Sequence, residues 1–334
     1  PDTDESKAAD TMRVIEIEGG SGPAEALRVA ERPDPVAGAG QVVIRVRAAG
    51  VNRPDLLQRL GAYPPPPDAS DILGLEVAGE IAQVGAGVTR WRIGDRVCAL
   101  LGGGGYAEQA LVDARHVLPI PEGLDFVQAA ALPETVFTVF ANVFEGGALK
   151  AGETLLIHGA TSGIGVMAIQ MAKAAGATVI ATSRGADKAR AAAGLGADVS
   201  LDAKADDLEA RIKAAGGADV VLDMVGKDYA ALNLHSLNAG GRWVVIASLT
   251  GAKVEMDLQR IMLKRLTLTG STLRSRSADE KARLTAAVEA TAWPWIVSGA
   301  VRPPIRAVHP LDRAADAHAA LEAGAHVGKI MLEV

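Results

Sequence analysis

From about residue 150 to residue 250, the sequence alternates between short segments rich in Val and Ile and segments with a helical pattern. The segments are, in order, TLLIHG (154–159), GVMAIQMAKAAGA (165–177), TVIATS (178–183), ADKARAAAGLG (186–196), ADVVLDMV (218–225), a further helical segment and GRWVVIAS (241–248). Strands that alternate with helices of this length form parallel βαβ units. This half of the chain therefore predicts an α/β domain with a doubly wound parallel sheet.

The stretch from about residue 13 to residue 120 has a different pattern. Short apolar runs such as GQVVIRVRAAG (40–50) and LGLEVAGEIAQVG (73–85) are separated by Gly and Pro, which predicts antiparallel strands in a barrel-like fold. After about residue 275, a long helical stretch (278–293) precedes a tail that ends in KIMLEV (329–334). We expect that tail to return to the first domain as a strand. A chain of 334 residues also suits two domains, because single cores stop growing near about 250–300 residues.

Composition excludes several classes of protein. The net charge is −6, and no block of Lys and Arg offers a surface for nucleic acid. Charged or polar residues interrupt the longest apolar runs before the about 18 residues needed to span a membrane. Residues 1–11 are acidic and polar, so we interpret them as a disordered leader, with Met12 as the native start, and not as a signal peptide. Cys98 is the single cysteine, so we expect no disulfide framework and a cytoplasmic location.

The strongest local motif is LLIHGATSGIGVMAIQMAKAAGA (155–177). A strand, a tight glycine turn and a helix start offer the bare backbone and the N–H groups that bind the pyrophosphate of a dinucleotide. Against the Gly-x-Gly-x-x-Gly spacing, positions 160, 162 and 165 are Ala, Ser and Gly, so a plain glycine turn in an α/β protein is the alternative interpretation. The candidate cofactor-binding residues of this turn are Ala160, Thr161, Ser162, Gly163, Ile164 and Gly165.

The next predicted strand, TVIATSRGADK (178–188), indicates which dinucleotide binds. An NAD-binding strand usually ends in an acid that accepts the ribose hydroxyls, and no acid stands at the end here. Ser183 and Arg184 occupy the turn and Lys188 follows one helical turn later, where they can hold a 2'-phosphate. The sequence therefore favours NADPH over NADH. An ordinary solvated helix start is the alternative interpretation of Arg184 and Lys188.

Several further segments carry a family resemblance. They are AGVNRPDLLQRLGAYPPPP (49–67), LGLEVAGEI (73–81), GDRVCAL (94–100), GGGGYAEQ (102–109), AALPETVFTVF (130–140), HGATSGIG (158–165), LGADVSLDA (195–203), VLDMVGKDY (221–229), GRWVVIASLTG (241–251) and AHVGKIML (325–332). With them, the chain resembles the zinc-independent quinone oxidoreductases of the medium-chain dehydrogenase/reductase superfamily, near the p53-inducible quinone reductase branch. The resemblance covers nearly everything from Met12 to Val334.

The resemblance implies a specific domain organisation. Residues 12–131 and 276–334 would form a GroES-like twisted β-barrel catalytic domain. Residues 132–275 would form a Rossmann NADPH-binding domain that is inserted between them in sequence. The resemblance also implies a homodimer. The segment LKRLTLTGST (263–272) reads as the last strand of the nucleotide sheet, and such an exposed apolar edge invites pairing with its copy.

The resemblance also indicates whether the chain has a zinc site. Zinc-dependent relatives place a Cys where this chain has Asn52 and a His where it has Leu75, beside the Glu that corresponds to Glu76. Catalytic zinc needs about three protein ligands, so Glu76 would stand alone. The loop GGGGYAEQ (102–109) also lacks the four cysteines of a structural zinc site. We therefore predict no metal, and a structural Glu76 that accepts hydrogen bonds or a salt bridge.

Candidate catalytic residues lie in AGVNRPDLLQRLGAY (49–63). The resemblance places Asn52 and Tyr63 at the active-site cleft with Asp55 nearby, and the Pro64 to Pro67 run is expected to form one wall of the substrate entrance. The alternative is that Asn52 caps a helix and Asp55 suits its positive end, with Gly61 ending it.

Two further cofactor-binding residues are implied by the resemblance. Thr135 corresponds to a side chain beside the nicotinamide, although a helix-start hydroxyl is the alternative, and Lys329 lies in the matching segment AHVGKIML. One cofactor contact that the resemblance implies is missing. Relatives often carry an Ile-Asn-Tyr triplet whose Tyr contacts the adenosine phosphate, and this chain has Leu201, Asp202 and Ala203 at those positions.

The implied function is metal-free reduction of small quinones by hydride transfer from NADPH. The Asn52 amide or the Tyr63 hydroxyl would stabilise the developing oxyanion. Two alternatives remain open at this stage. One is an NADPH-dependent reductase of enone or enoyl double bonds, and the other is an NADPH-binding structural or regulatory protein with little turnover. The sequence does not identify the physiological acceptor or the number of electrons passed.

Overall fold

The computed structural model describes residues 10–324 and 327–334. Its strands are β1 (Thr11–Ile17), β2 (Leu27–Pro33), β3 (Gln41–Val51), β4 (Glu76–Val84), β5 (Arg96–Leu100), β6 (Gln109–Asp113), β7 (Val117–Pro119), β8 (Thr154–His158), β9 (Thr178–Ser183), β10 (Val199–Asp202), β11 (Ala218–Asp223), β12 (Leu237–Val245), β13 (Thr267–Gly270), β14 (Ile305–Pro310) and β15 (Lys329–Glu333). The predicted leader, residues 1–11, lies outside the described residues except for Asp10 and Thr11. Thr11 already belongs to β1, so the leader cannot extend to that residue.

The helices are spread over the described residues, and from β8 to β13 they alternate with the strands, as the second half of the sequence predicts. They are α1 (Arg53–Arg59), α2 (Phe126–Ala130), α3 (Pro133–Val139), α4 (Gly163–Ala174), α5 (Ala186–Gly194), α6 (Leu208–Ala214), α7 (Ala230–Ser236), α8 (Leu258–Lys264), α9 (Ala278–Thr291), α10 (Trp293–Val297) and α11 (Ala314–Ala323). A π-helical stretch, Phe140–Gly146, continues α3. Short 3₁₀ turns fill several of the connections.

The chain forms two compact units. Within the described residues, the first unit contains 10–134, 307–324 and 330–334, and the second contains 135–306 and 327–329. The sequence-based boundaries placed 276–306 with the first unit, and the structure places that segment with the second. The reason is local packing, because Arg283 of α9 binds Glu145 at 2.8 Å and the Trp295 ring lies 5.6 Å from that of Phe144.

The first unit is built on a seven-stranded sheet in the order β14-β15-β3-β4-β5-β7, with β6 also paired to β3. The pairs of β3 with β15, β4 and β6 are antiparallel, and β1 and β2 form a separate antiparallel pair. The pairing of Ile330 in β15 with Val51 in β3 confirms that the KIMLEV tail returns to this unit. Buried aliphatic side chains fill its core, and register shifts in β3 let the sheet bend, as expected for a GroES-like barrel.

The second unit contains a parallel sheet in the order β10-β9-β8-β11-β12-β13. This is the doubly wound arrangement of a Rossmann fold, and it confirms the predicted fold class. The carboxyl ends of the strands meet at one edge of the sheet, where His158, Ser183, Asp202 and Asp223 are the last residues of β8, β9, β10 and β11. That edge is where the predicted nucleotide motif lies.

Among the described residues, one helical stretch is long and apolar enough to cross a membrane by length and composition alone, although no run of its sequence was predicted to span one. It is Phe126–Gly146, and 72% of its most apolar window is buried inside the protein. A buried core helix meets the same two criteria. The burial accounts for its apolar composition without a membrane.

Candidate functional site

The nucleotide motif forms a strand, a turn and a helix. Strand β8 ends at His158, α4 begins at Gly163, and the Ser162 hydroxyl caps the helix by accepting the Gly165 N–H at 3.0 Å. A Cβ atom at Gly165 would lie 2.4 Å from the Gly159 carbonyl oxygen, so the turn touches the helix at a position that only glycine can occupy. This close approach leaves bare backbone at the helix start, which suits a pyrophosphate.

Two residues that are distant in sequence meet this helix start within the second unit. A Cβ atom at Gly163 would lie 3.1 Å from Lys329 Cδ and 3.5 Å from Thr135 Cγ2. The Gly328 N–H also donates to the Thr161 carbonyl oxygen at 3.4 Å. Both the Thr135 and the Lys329 side chains are buried. The structure thus brings the side chains of Thr135 and Lys329 to the first turn of α4, beside the predicted phosphate-binding backbone.

The carboxyl end of β9 carries an unpaired hydroxyl. Ser183 is 3% exposed, and its Oγ atom has no hydrogen-bond partner among the residues that the structure describes. Arg184 follows it in an exposed position. Burial raises the pKa of the nearby Tyr229 hydroxyl, and the positive charge of Arg184 opposes that rise. A buried hydroxyl without a partner is costly, which indicates that a ligand or water completes it.

An acid stands on the neighbouring strand. The Asp202 carboxylate at the end of β10 accepts the Gly185 N–H at 2.9 Å and the Lys204 N–H at 3.0 Å. The Lys204 N–H and then the Gly185 N–H lower the pKa of Asp202. This carboxylate is therefore ionised and engaged with main-chain donors of the turn that follows β9.

His158 lies beneath the glycine turn in a buried network. Its Nδ1 atom is 2.8 Å from Thr182 Oγ1, and its Nε2 atom is 2.6 Å from Asn233 Oδ1. Burial lowers the pKa of His158, so the imidazole is neutral. The sequence indicated only that this histidine ends a strand. Its contacts lie 24 and 75 positions away, which local patterns do not show.

In the first unit, Asn52 and Glu76 contact each other. Asn52 precedes α1 and its Nδ2 atom donates to Glu76 Oε1 at 2.9 Å. The other Glu76 oxygen accepts the Glu134 N–H at 2.8 Å, and Glu76 is fully buried. The prediction that Glu76 accepts hydrogen bonds is confirmed. Leu75 is buried beside it, and within residues 10–324 and 327–334 no group of three or more His, Cys, Asp or Glu is arranged to hold a metal ion.

Asp55 is the third residue of α1 and reaches back to the start of that helix. Its Oδ2 atom accepts the Asn52 N–H at 2.8 Å, and its Oδ1 atom accepts the Gly74 N–H at 3.3 Å. Gly61, with φ +76°, follows the helix end. Asp55 therefore caps the start of α1, as the capping interpretation expects of it. Burial raises the pKa of Asp55 to about 6, and the Asn52 N–H opposes that rise.

Three further residues extend the hydrogen bonds of Asp55, and no sequence motif indicates them. The Tyr106 hydroxyl lies 3.2 Å from Asp55 Oδ2 and 3.0 Å from His318 Nε2. His318 Nδ1 lies 3.1 Å from Arg59 Nη1. Because Tyr106 and His318 are 212 positions apart, no spacing in the sequence links them.

Tyr63 and the proline run follow α1. Tyr63 is half-buried in the turn beyond the helix, so it lies past the opposite end of α1 from Asn52. A cavity of about 310 Å³ lies beside the proline run. Its lining includes Pro64, Pro65, Gln58, Ile15, Ile17, Ile72 and the charged Glu16, Arg32 and Asp71. The cavity is thus formed by the far end of α1 and not by Asn52 or Asp55.

Comparison with known proteins agrees with this architecture. Residues 38–122 match the alcohol dehydrogenase GroES-like domain, and residues 163–290 match the zinc-binding dehydrogenase family. A quinone oxidoreductase from Rattus norvegicus is 32% identical over 326 residues, which cover 96% of this chain and 97% of that protein.

Solved structures agree as well. A quinone oxidoreductase from Pseudomonas syringae pv. Tomato DC3000 superposes with a TM-score of 0.85 and 30% identity, covering 97% of this chain and 100% of that one. A mycobacterial protein solved in complex with NADPH superposes with the same TM-score of 0.85, 30% identity and the same coverage of 97% and 100%. With this fold, this glycine turn and these relatives, the chain belongs to the medium-chain dehydrogenase/reductase superfamily, among the homologues of its quinone oxidoreductases.

Proposed function

We propose that this oxidoreductase reduces quinones by hydride transfer from NADPH without a metal ion. The quinone oxidoreductase relatives support the class of acceptor. The observation that carries the choice of cofactor is the buried Ser183 hydroxyl, which has no partner among the described residues and precedes Arg184 at the end of β9. An NAD-binding strand would end in an acid at this point.

The residues of the second unit fit this cofactor. The main-chain N–H groups of Gly163 and Ile164 are suited to bind the pyrophosphate, because the close turn at Gly165 leaves the backbone open. The N–H groups of Ser162 and Gly165 are bonded within the turn and hold its shape. Ser183, Arg184 and Lys188 would bind the 2'-phosphate. Thr135 and Lys329, at the first turn of α4, would contact the nicotinamide half. When bound, the reduced nicotinamide supplies the hydride.

The first unit would supply the groups that act on the acceptor. One N–H of the Asn52 amide donates to Glu76, and this contact fixes the orientation of the amide. We propose that the amide also donates to the quinone oxygen on which negative charge develops. The Tyr63 hydroxyl, which lies beyond the opposite end of α1, is the alternative donor. Asp55 contributes by holding the Asn52 main chain.

A metal ion is not needed in this proposal. Catalytic zinc requires about three ligands from Cys, His or carboxylate side chains, whereas position 75 is a leucine and position 52 is an amide that already binds Glu76. Asn52 would therefore take over the polarisation of the acceptor. Metal analysis of the purified protein should find no stoichiometric zinc, and finding one zinc per chain would refute this part of the proposal.

Steady-state kinetics with both cofactors test the proposal. Arg184→Ala and Lys188→Ala should each raise KM for NADPH about tenfold, because each removes a charged hydrogen bond to the phosphate, and should leave KM for NADH unchanged. Arg190→Ala is the matched control, because Arg190 lies on α5 and pairs at the surface with Asp187.

The acceptor panel should contain quinones and enones. Equal efficiency with NADH and NADPH, unaffected by Lys188→Ala, would rule out the 2'-phosphate site. Turnover of enones without turnover of quinones would favour double-bond reduction. No oxidation of NADPH with any acceptor would favour a binding protein with little turnover.

A further inference from the structure

A buried chain of hydrogen bonds links helix α11 to helix α1. It runs from Arg59 through His318 and Tyr106 to Asp55, with distances of 3.1, 3.0 and 3.2 Å between successive groups. All four residues are at most 1% exposed. Arg59 is held in turn by the Gly22 carbonyl oxygen at 3.1 Å and by an ion pair with Glu322. Four adjacent polar side chains are rarely retained in a core unless every bond is satisfied.

The chemistry of these groups fixes the direction of every hydrogen bond. Arginine has donors and no acceptor, so His318 Nδ1 must accept from Arg59 Nη1. Burial, aided by the charge of Arg59, lowers the pKa of His318 to about 3, so the ring is neutral and carries its one proton on Nε2. His318 Nε2 therefore donates to the Tyr106 oxygen. Burial keeps the pKa of Tyr106 well above its usual value, and its O–H then donates to Asp55.

This chain of hydrogen bonds ends at Asp55, which contacts Asn52. The Asp55 carboxylate accepts both the Tyr106 hydroxyl and the Asn52 N–H on the same oxygen, Oδ2. Asn52 in turn sends its side-chain amide to Glu76. Successive hydrogen bonds that point the same way polarise one another, so the donors behind Tyr106 strengthen its bond to the carboxylate.

We propose that Arg59, His318 and Tyr106 are positioning residues, which form a one-way donor chain that holds Asp55 against the start of α1 and thereby fixes the Asn52 amide for the reaction. The kinetic part of this inference rests on the proposed quinone reductase function. The hydrogen-bond part does not, because it concerns only the first unit.

The pKa of Asp55 depends on the hydrogen bond that it accepts from Tyr106, so it can be used to test the donor chain. Among the described residues, Tyr106 and Glu76 are titratable groups that act on Asp55, and His318 and Arg59 stand behind Tyr106. Burial and the negative charge of Glu76 raise the pKa of Asp55, and the donors Asn52, Tyr106 and Gly74 lower it. Removing the Tyr106 hydroxyl should therefore raise this pKa further, from about 6 by about one to two pH units.

The test compares Tyr106→Phe, His318→Leu and His318→Gln in the full-length protein. The Asp55 carboxyl titration is followed by ¹³C NMR, and kcat/KM for NADPH-dependent quinone reduction is followed against pH. Tyr106→Phe should move both midpoints upward by about one to two units, and His318→Leu should move both by less. His318→Gln should keep the wild-type midpoints, because the glutamine amide places an N–H donor where His318 Nε2 lies. KM for NADPH should not change.

Trp91→Phe is the matched control, because it removes a partly buried hydrogen bond elsewhere in the first unit, from Trp91 Nε1 to the Ala114 carbonyl oxygen at 2.9 Å. If Tyr106→Phe and His318→Leu titrate like this control, the donor chain is refuted. If the Asp55 midpoint moves but the kcat/KM profile does not, the role in positioning Asn52 is refuted. If the wild-type protein reduces no quinone, the proposed function fails, and the NMR midpoints alone decide the inference. Should Tyr106→Phe not fold, the midpoints of the two His318 variants still support or refute the donor chain.

Discussion

At the scale of single residues, Gly50 leaves the space in which the Glu76 carboxylate lies. A Cβ atom at Gly50 would lie 1.8 Å from Glu76 Oε1 and 2.5 Å from Glu76 Cδ. The oxygen that Asn52 contacts therefore occupies the space that any other side chain at position 50 would need. The glycine is required here for close approach and not for its backbone angles.

Gly50→Ala should lower the free energy of unfolding by about 1–3 kcal/mol, because it overpacks a buried site. It should also lower kcat for quinone reduction, since Glu76 would move away from the Asn52 amide. Urea unfolding and steady-state kinetics measure the two effects. Gly194→Ala is the control, because a Cβ atom at that helical position meets nothing within 4 Å. An unchanged unfolding midpoint in Gly50→Ala would contradict the prediction.

The sequence predicted some of these residue-level contacts and not others. Glu76 was predicted to accept hydrogen bonds because its expected metal-binding neighbours are absent, and the structure confirms this. The roles of Gly50 and His318 were not predicted. A contact between neighbouring strands, or between residues 212 positions apart, depends on strand register and helix placement, which local patterns do not contain.

At the scale of elements, the strand–turn–helix unit of β8 and α4 depends on Gly165. A Cβ atom there would lie 2.4 Å from the Gly159 carbonyl oxygen and 2.6 Å from the Ala160 carbonyl carbon. These are backbone atoms, so they cannot rotate away as the end of a side chain can. Any larger residue would have to separate the turn from the helix.

We expect Gly165→Ala to weaken NADPH binding about tenfold or more, because the N–H groups that we propose for the pyrophosphate would no longer converge. Fluorescence titration of NADPH measures the dissociation constant, and circular dichroism verifies that the variant is folded. Gly194→Ala again serves as the control for glycine replacement in the same unit. An unaltered dissociation constant in folded Gly165→Ala would show that this turn does not bind the pyrophosphate.

The order of strands and helices along the sequence was more predictable than the elements against which each of them packs. Apolar patterns indicated the antiparallel strands of the first unit and the alternating strands and helices of the second, and the structure confirms the antiparallel and parallel sheets. Helix α9 was assigned to the first unit, whereas the structure places it in the second. An amphipathic pattern shows that one face of a helix is packed, but it does not identify the element on which that face packs. The ion pair of Arg283 with Glu145 spans 138 positions, beyond the reach of any local pattern.

At the scale of the whole molecule, the second unit has an exposed edge. Strand β13 is the last strand in the described sheet and pairs there with β12. Helix α8 precedes it and exposes Leu258, Met262 and Leu263 by 72%, 67% and 66%. An open strand edge beside exposed apolar side chains favours association with an identical surface.

We therefore predict a homodimer that forms through this edge. Light scattering after size exclusion should give twice the 34.3 kDa chain mass for the wild-type protein. The double substitution Met262→Glu and Leu263→Glu should give single chains, because it places four like charges at a two-fold interface. Ile93→Glu changes a side chain that is 73% exposed in the first unit, so it controls for added charge and should leave the mass doubled. A wild-type protein that runs as single chains at micromolar concentration, or a double variant that stays dimeric, would show that this edge is not the interface.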